Sequence, residues 1–200
     1  MRGYYFITDA RLSRAGNLSD VASALAAGVR VVQYREKHAG TRALVEEARK
    51  LRTLCRGALF LVNDRVDVAL AVGADGVHLG QDDLPYGPAR ELLGPDKIIG
   101  ITVHSVAEAV AAQKLGADYL GVSPIFATGT KADAGAPAGV ALLRDIKPRV
   151  PLPLIAIGGL TLANAGEAMR AGADGLCAIA AVVTREDVRG EIAKFQKLFL

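Results

Sequence analysis

Cysteine and histidine are scarce in this chain: there are two cysteines, Cys55 and Cys177, and three histidines, His38, His78 and His104. No metal-binding cysteine cluster can be assembled from them, and no Ser, His and Asp arrangement suggests itself. Cys55 falls in a helical pattern and Cys177 in an apolar strand, so both read as small buried hydrophobes with free thiols. An excess of one charge is lacking too: 24 basic against 21 acidic side chains leave a net charge of +3, which gives no reason to invoke nucleic acid or an anionic membrane. No apolar run reaches the roughly 18 residues of a membrane span. The opening MRGYYFITDA is too short in apolar residues for a secretory signal, so the expected location is the cytoplasm.

What is present is a repeat. Gly-Ala-Asp recurs at 73–75, 116–118 and 172–174, each time between a helical pattern and an apolar strand, with Ala27-Gly28-Val29 as a looser copy. Glycine suits the left-handed position that ends a helix, so each copy marks a helix-to-strand joint. Counting with those joints predicts eight strands, near Tyr4–Thr8, Val31–Glu36, Leu59–Asn63, Gly76–Gly80, Ile98–Val103, Tyr119–Ser123, Leu152–Gly158 and Gly175–Ala180. Helical patterns fill the gaps. The clearest is Thr41 to Arg56, where Leu44, Ala48, Leu51 and Cys55 share one face. Strands alternating with helices, without a break in composition, predict an α/β chain folded as one TIM-type (β/α)8 barrel over residues 1–200. The alternative is an open doubly wound sheet. Against it, Ile7-Thr8-Asp9-Ala10 follows the first strand where a G-x-G-x-x-G would stand.

In a barrel the chemistry sits at the carboxyl ends of the strands. The third and fourth strands end in Asp64 and Asp83, and a short right-handed crossover would make them neighbours. Paired carboxylates repel unless a cation lies between them, and oxygen ligands without His or Cys favour magnesium. Along Gln33-Tyr34-Arg35-Glu36-Lys37, alternation puts Gln33, Arg35 and Lys37 on one side and Tyr34 and Glu36 on the other. With the first set inward, two cations would face the dicarboxylate site, and the ligand that suits both is a diphosphate. The loop from Ser123 to Gly135 carries hydroxyls, glycines and Lys131, a composition suited to a lid over phosphate. After the seventh strand, Gly158-Gly159 lets backbone N–H groups approach a second anion.

These stretches, together with Asn63-Asp64-Arg65, Gly76-Val77-His78-Leu79-Gly80-Gln81-Asp82-Asp83, Pro124-Ile125-Phe126 and Ala156-Ile157-Gly158-Gly159, resemble the thiamine phosphate synthase family from the first strand to the last. The resemblance implies a transferase of thiamine biosynthesis. It would join 4-amino-2-methyl-5-(diphosphooxymethyl)pyrimidine to 4-methyl-5-(2-phosphooxyethyl)thiazole and release pyrophosphate by dissociative substitution. It implies Mg2+ on Asp64 and Asp83, and pyrimidine diphosphate on Gln33, Tyr34, Arg35, Glu36, Lys37 and Asn63. Thr102, Thr128, Gly129, Thr130, Lys131, Gly159, Ile179 and Ala180 would complete the two pockets, with Arg35, Lys37 and Lys131 acting on the leaving group. The implied partners are these small molecules, with no nucleic acid or membrane; a homo-oligomer is left open.

The chain departs from the family pattern at three places. Thr102 stands for a usual Ser, Gly129 for a common Lys, and Ile179-Ala180 for a usual Val-Ser. The last two remove a cation and a hydroxyl from the phosphate contacts. His78 is expected to be packed and hydrogen-bonded within the fourth strand, and His104 to cap a turn. The related thiazole tautomerase uses a His where Pro124 stands here, and a non-catalytic homologue would be expected to lose carboxylates or cations that this chain keeps. Another phosphosugar barrel, such as an epimerase, would show no dependence on diphosphate.

Overall fold

The computed structural model describes residues 1–129 and 135–200. The elements run β1 (Gly3–Ile7), α1 (Asn17–Ala26), β2 (Val31–Tyr34), α2 (Thr41–Leu54), β3 (Leu59–Asn63), α3 (Val66–Val72), β4 (Gly76–Leu79) and α4 (Tyr86–Leu93). They continue with β5 (Ile98–Val103), α5 (Val106–Leu115), β6 (Tyr119–Val122), α6 (Gly139–Ile146), β7 (Leu154–Ile157), α7 (Leu162–Arg170), β8 (Gly175–Cys177), α8 (Ile179–Val183) and α9 (Val188–Gln196). All strands pair in parallel in chain order, and β1 returns to β8 with Gly3 opposite Gly175, so the sheet closes into the expected barrel. Alternation along the strands divides the apolar residues in two. Tyr4 and Phe6 pack outward against the helices, whereas Tyr5, Ile7, Val31, Leu61, Tyr119, Ile155 and Cys177 fill the interior. Both cysteines are buried and unpaired, and burial pushes the Cys55 thiol up to about 11. Among the described residues no helix is long and apolar enough to cross a membrane.

The Gly-Ala-Asp joints hold the bottom of this barrel. Gly73 and Gly116 end α3 and α5 in the left-handed conformation. Each following aspartate then reaches to the strand before it. Asp75 accepts from the Phe60 N–H at 2.7 Å, Asp118 from Ile99 at 2.7 Å and Asp174 from Leu154 at 2.9 Å, so one amide at the start of each of β3, β5 and β7 is satisfied by a carboxylate. A helix-side cation completes each joint: Arg52 on Asp75 through two bonds of 2.9 Å, Arg90 on Asp118, and Lys147 on Asp174. Asp75→Ala is expected to lower stability by about 2–3 kcal/mol, since it strands both an amide and a guanidinium. That corresponds to a fall of about 5–10 °C in melting temperature. A smaller shift would reduce the joint to a spacer.

Two strands stop two or more residues earlier than the sequence predicts. β2 ends at Tyr34 rather than Glu36, because the Thr8 hydroxyl takes over from the ladder: it accepts from the Arg35 N–H at 2.9 Å and donates to the Arg35 carbonyl at 3.2 Å. β8 ends at Cys177, and Ile179 and Ala180 form the first turn of α8. A run of small apolar residues such as Ala178-Ile179-Ala180-Ala181 suits either conformation, and the chain turns to helix once it leaves the barrel.

Candidate active site

A cavity of about 470 Å3 opens at the carboxyl ends of the strands. Its floor is a buried polar chain in the barrel interior. Gln33 Nε2 donates to the Tyr5 hydroxyl at 2.8 Å, and the Tyr5 and Tyr119 hydroxyls share a bond of 2.7 Å. The Tyr119 hydroxyl meets His78 Nδ1 at 2.8 Å, and His78 Nε2 meets the Thr102 hydroxyl at 2.8 Å. Burial raises the pKa of both phenols well above the usual tyrosine range, so they serve as neutral hydroxyls. Both ring nitrogens of His78 are engaged, in line with a packed, hydrogen-bonded histidine. Gln33, His78 and Thr102 are the members of this chain that face the cavity. His104 lies off it, where its N–H donates to Glu108 at 2.8 Å, just before the Ser105 cap that starts α5.

The β1 to β4 side of the mouth is charged. Arg35 lines the cavity while pairing with the buried Asp9 at 3.4 Å; Asp9 in turn accepts from the N–H groups of Arg11 and Leu12. Lys37 stands outside the cavity lining at the rim, its Nζ 2.8 Å from Asp64. Asp64 is held in the left-handed region at φ 63°, which is uncommon for a residue other than glycine, and its N–H donates to the His78 carbonyl at 2.8 Å. That pin joins the exits of β3 and β4, and the Asp64 carboxylate lies near enough to Asp83 to affect its titration. Asp83 also accepts from the Gly80 N–H at 2.7 Å. Its pKa is raised, first by burial and then by Asp64, against the opposing pull of Gly80 and Lys37.

These carboxylates suit a hard cation. Among the described residues there is no group of three or more His, Cys, Asp or Glu that could hold a metal, so a protein-only cage is not what the mouth offers. Two adjacent carboxylates, one with its pKa raised by burial and then by the other, would be relieved by an ion that takes its remaining oxygens from water and phosphate, which is the habit of Mg2+.

The opposite wall is mostly backbone. Gly158 and Gly159 have φ of 96° and 62°, and a Cβ at Gly159 would collide with the Ala127 carbonyl and with Phe126, so only glycine lets the loop after β7 lie against the loop after β6. Asn63, Thr128, Gly129, Gly159, Ile179 and Ala180 line the cavity as expected. Thr130 and Lys131 lie outside the described residues. Of the residues expected at the site, Tyr34, Glu36, Lys37, Asp64 and Asp83 are not part of the cavity lining. Tyr34 points outward and donates to Glu47 of α2 at 2.7 Å, and Glu36 accepts from the His38 N–H at 2.7 Å. The structure adds Tyr5, Tyr119 and Arg185. Tyr5 and Tyr119 meet only because the barrel closes. Arg185 follows α8, a helix that the sequence pattern does not distinguish from strand.

A family model described as thiamine monophosphate synthase matches residues 4–182. A thiamine-phosphate synthase of Methanosarcina barkeri is 53% identical over 193 residues, covering 96% of this chain and 88% of that protein. One from Chloroflexus aurantiacus is 52% identical over 197 residues, covering 97% and 91%. Among solved structures, a thiamine phosphate pyrophosphorylase from Pyrococcus furiosus superposes with a TM-score of 0.91 at 44% identity, covering 98% of this chain and 95% of that one.

Proposed function

The chain belongs to the thiamine monophosphate synthase family and is a transferase that forms thiamine phosphate; from that premise we propose how its barrel mouth carries the reaction. The substrates are the pyrimidine diphosphate and the thiazole phosphate named above. The methylene C–O bond of the pyrimidine breaks, and its electron pair leaves with the diphosphate. The cation left behind is stabilised by the ring's amino group, and the thiazole nitrogen then donates its lone pair to form the new C–N bond. The positive charge ends on the thiazolium, so the step needs neither a protein nucleophile nor a proton transfer.

What remains for the protein is charge and position. Arg35 and Lys37 take up charge on the departing diphosphate, with Lys131 from the loop after β6. Asp64 and Asp83 would hold Mg2+, whose contribution when bound is to neutralise that diphosphate further. Gln33, Asn63 and the polar floor orient the pyrimidine, and the glycine wall at Gly158 and Gly159 receives the phosphate of the thiazole. The observation that supports this most is the convergence at one edge of the cations of β2 with the carboxylates that end β3 and β4.

Purified protein, both phosphorylated substrates and Mg2+ are expected to yield thiamine phosphate and pyrophosphate, with EDTA suppressing the product. Full turnover in EDTA would remove the metal role of Asp64 and Asp83; no product in either condition would remove the reaction.

A further inference from the structure

Resting on the two-phosphate reading above, we infer that Arg185 is a specificity-determining residue that grips the phosphomonoester of the thiazole substrate, in place of a hydroxyl and a lysine that this chain lacks. The cations on the β1 to β4 side of the mouth are each paired with a carboxylate: Arg35 with Asp9 and Lys37 with Asp64. Arg185 lines the same cavity from the opposite side, beside Ala180 and Ala181. Its N–H still donates to the Val182 carbonyl at 3.0 Å, but among the described residues its guanidinium has no hydrogen bond or ion pair. A guanidinium in that state keeps all five donors open.

Arg185 lies two residues past the end of α8, beyond its cap Thr184, and lines the cavity together with Ala180 and Ala181. The methyl groups of Ala180 and Ala181 offer no polar group of their own. Ala180 stands where the resemblance implies Ser, and Gly129 where it implies Lys, so this wall has lost two side-chain donors. Besides Arg185, the described lining of this wall carries backbone N–H groups and the hydroxyls of Ser123, Thr128 and Thr161, none of which has a net charge. A planar fork of N–H groups matches two oxygens of a phosphate and adds the missing charge.

The test is calorimetry of the thiazole phosphate, and of its dephosphorylated alcohol, with the wild type, R185Q and R185K. R185Q is expected to weaken the phosphate by about tenfold or more, the loss expected from one charge-assisted hydrogen bond. The alcohol should bind all three proteins alike, R185K should recover part of the loss, and the melting temperature should stay put because Arg185 is exposed. In steady state, the KM for the thiazole phosphate should rise while that for the pyrimidine diphosphate holds within about twofold. Wild-type affinity for the phosphate in R185Q overturns the assignment. So does equal weakening of phosphate and alcohol, or a rise confined to the pyrimidine KM. A wild type that binds thiazole phosphate through Arg185 yet makes no thiamine phosphate would overturn the reaction and leave this assignment standing.

Discussion

Asp64→Asn is expected to lower turnover by about two to three orders of magnitude while the barrel melts as a folded protein. Asparagine is the informative replacement because Asp64 sits at φ 63°, where Asn is tolerated and alanine would add about 1–2 kcal/mol of backbone strain. The N–H bond to the His78 carbonyl survives the change, so β3 and β4 stay pinned. What is lost is one of two neighbouring negative charges and the partner of Lys37. Because that ion pair is partly exposed, its own contribution to stability is small, and the damage should fall on Mg2+ affinity and on the chemical step.

The same pair sets a pH dependence with a defined sign. Asp83 titrates above the ordinary carboxylate value of ~3.9, because of burial first and Asp64 second. The metal-free fold therefore holds this proton more tightly than the unfolded chain does. Its contribution to stability is full below the ordinary value and is lost as pH rises through the raised one. In D64N the second cause disappears, and Asp83 should titrate closer to normal. Melting curves of metal-free wild type should fall in this window more steeply than those of D64N, and Mg2+ should restore the wild type alone. Parallel curves, or turnover in D64N within about threefold of wild type, would mean that these carboxylates do not act as a cation-binding pair.

Asp64 and Asp83 could be found in the sequence because each closes an apolar run, and strand exits share one edge of a parallel sheet. Arg35, one residue past the end of β2, still follows the alternation of the strand; Lys37, two residues further on, sits at the rim. Tyr34 shows the limit of transferring a motif whole: the alternation that brings Gln33 inside sends its neighbour outward to Glu47. The aspartates of the three joints were visible as a repeat, but their bonds to Phe60, Ile99 and Leu154 depend on strand register, which no single segment encodes. The polar floor was hidden for the same reason. Tyr5 and Tyr119 lie 114 residues apart and look like ordinary strand aromatics until the barrel brings their hydroxyls to 2.7 Å.

That floor is tightly packed, and Gly100→Ala should expose how little room it has. A Cβ at Gly100 would overlap the Tyr119 ring, and the ring cannot yield easily: it is fully buried, and its hydroxyl is tied to Tyr5 and His78. Overpacking of a rigid site costs about 1–3 kcal/mol or somewhat more, and the polar ties place this case at the upper end. The expected fall in melting temperature is about 6–12 °C. Because the ring cannot move without disturbing His78 and Gln33, the KM for the pyrimidine diphosphate should rise as well. Tyr119→Phe would leave the clash in place, since the ring carbons collide as well as the hydroxyl. Tyr119→Leu would remove it, at the separate expense of a cavity and a broken floor. In that background the added methyl of Gly100→Ala should be nearly neutral or even favourable, giving a coupling energy of about 2 kcal/mol in a double-mutant cycle. Additive losses would show that Gly100 is needed for its backbone rather than for the space it leaves to Tyr119.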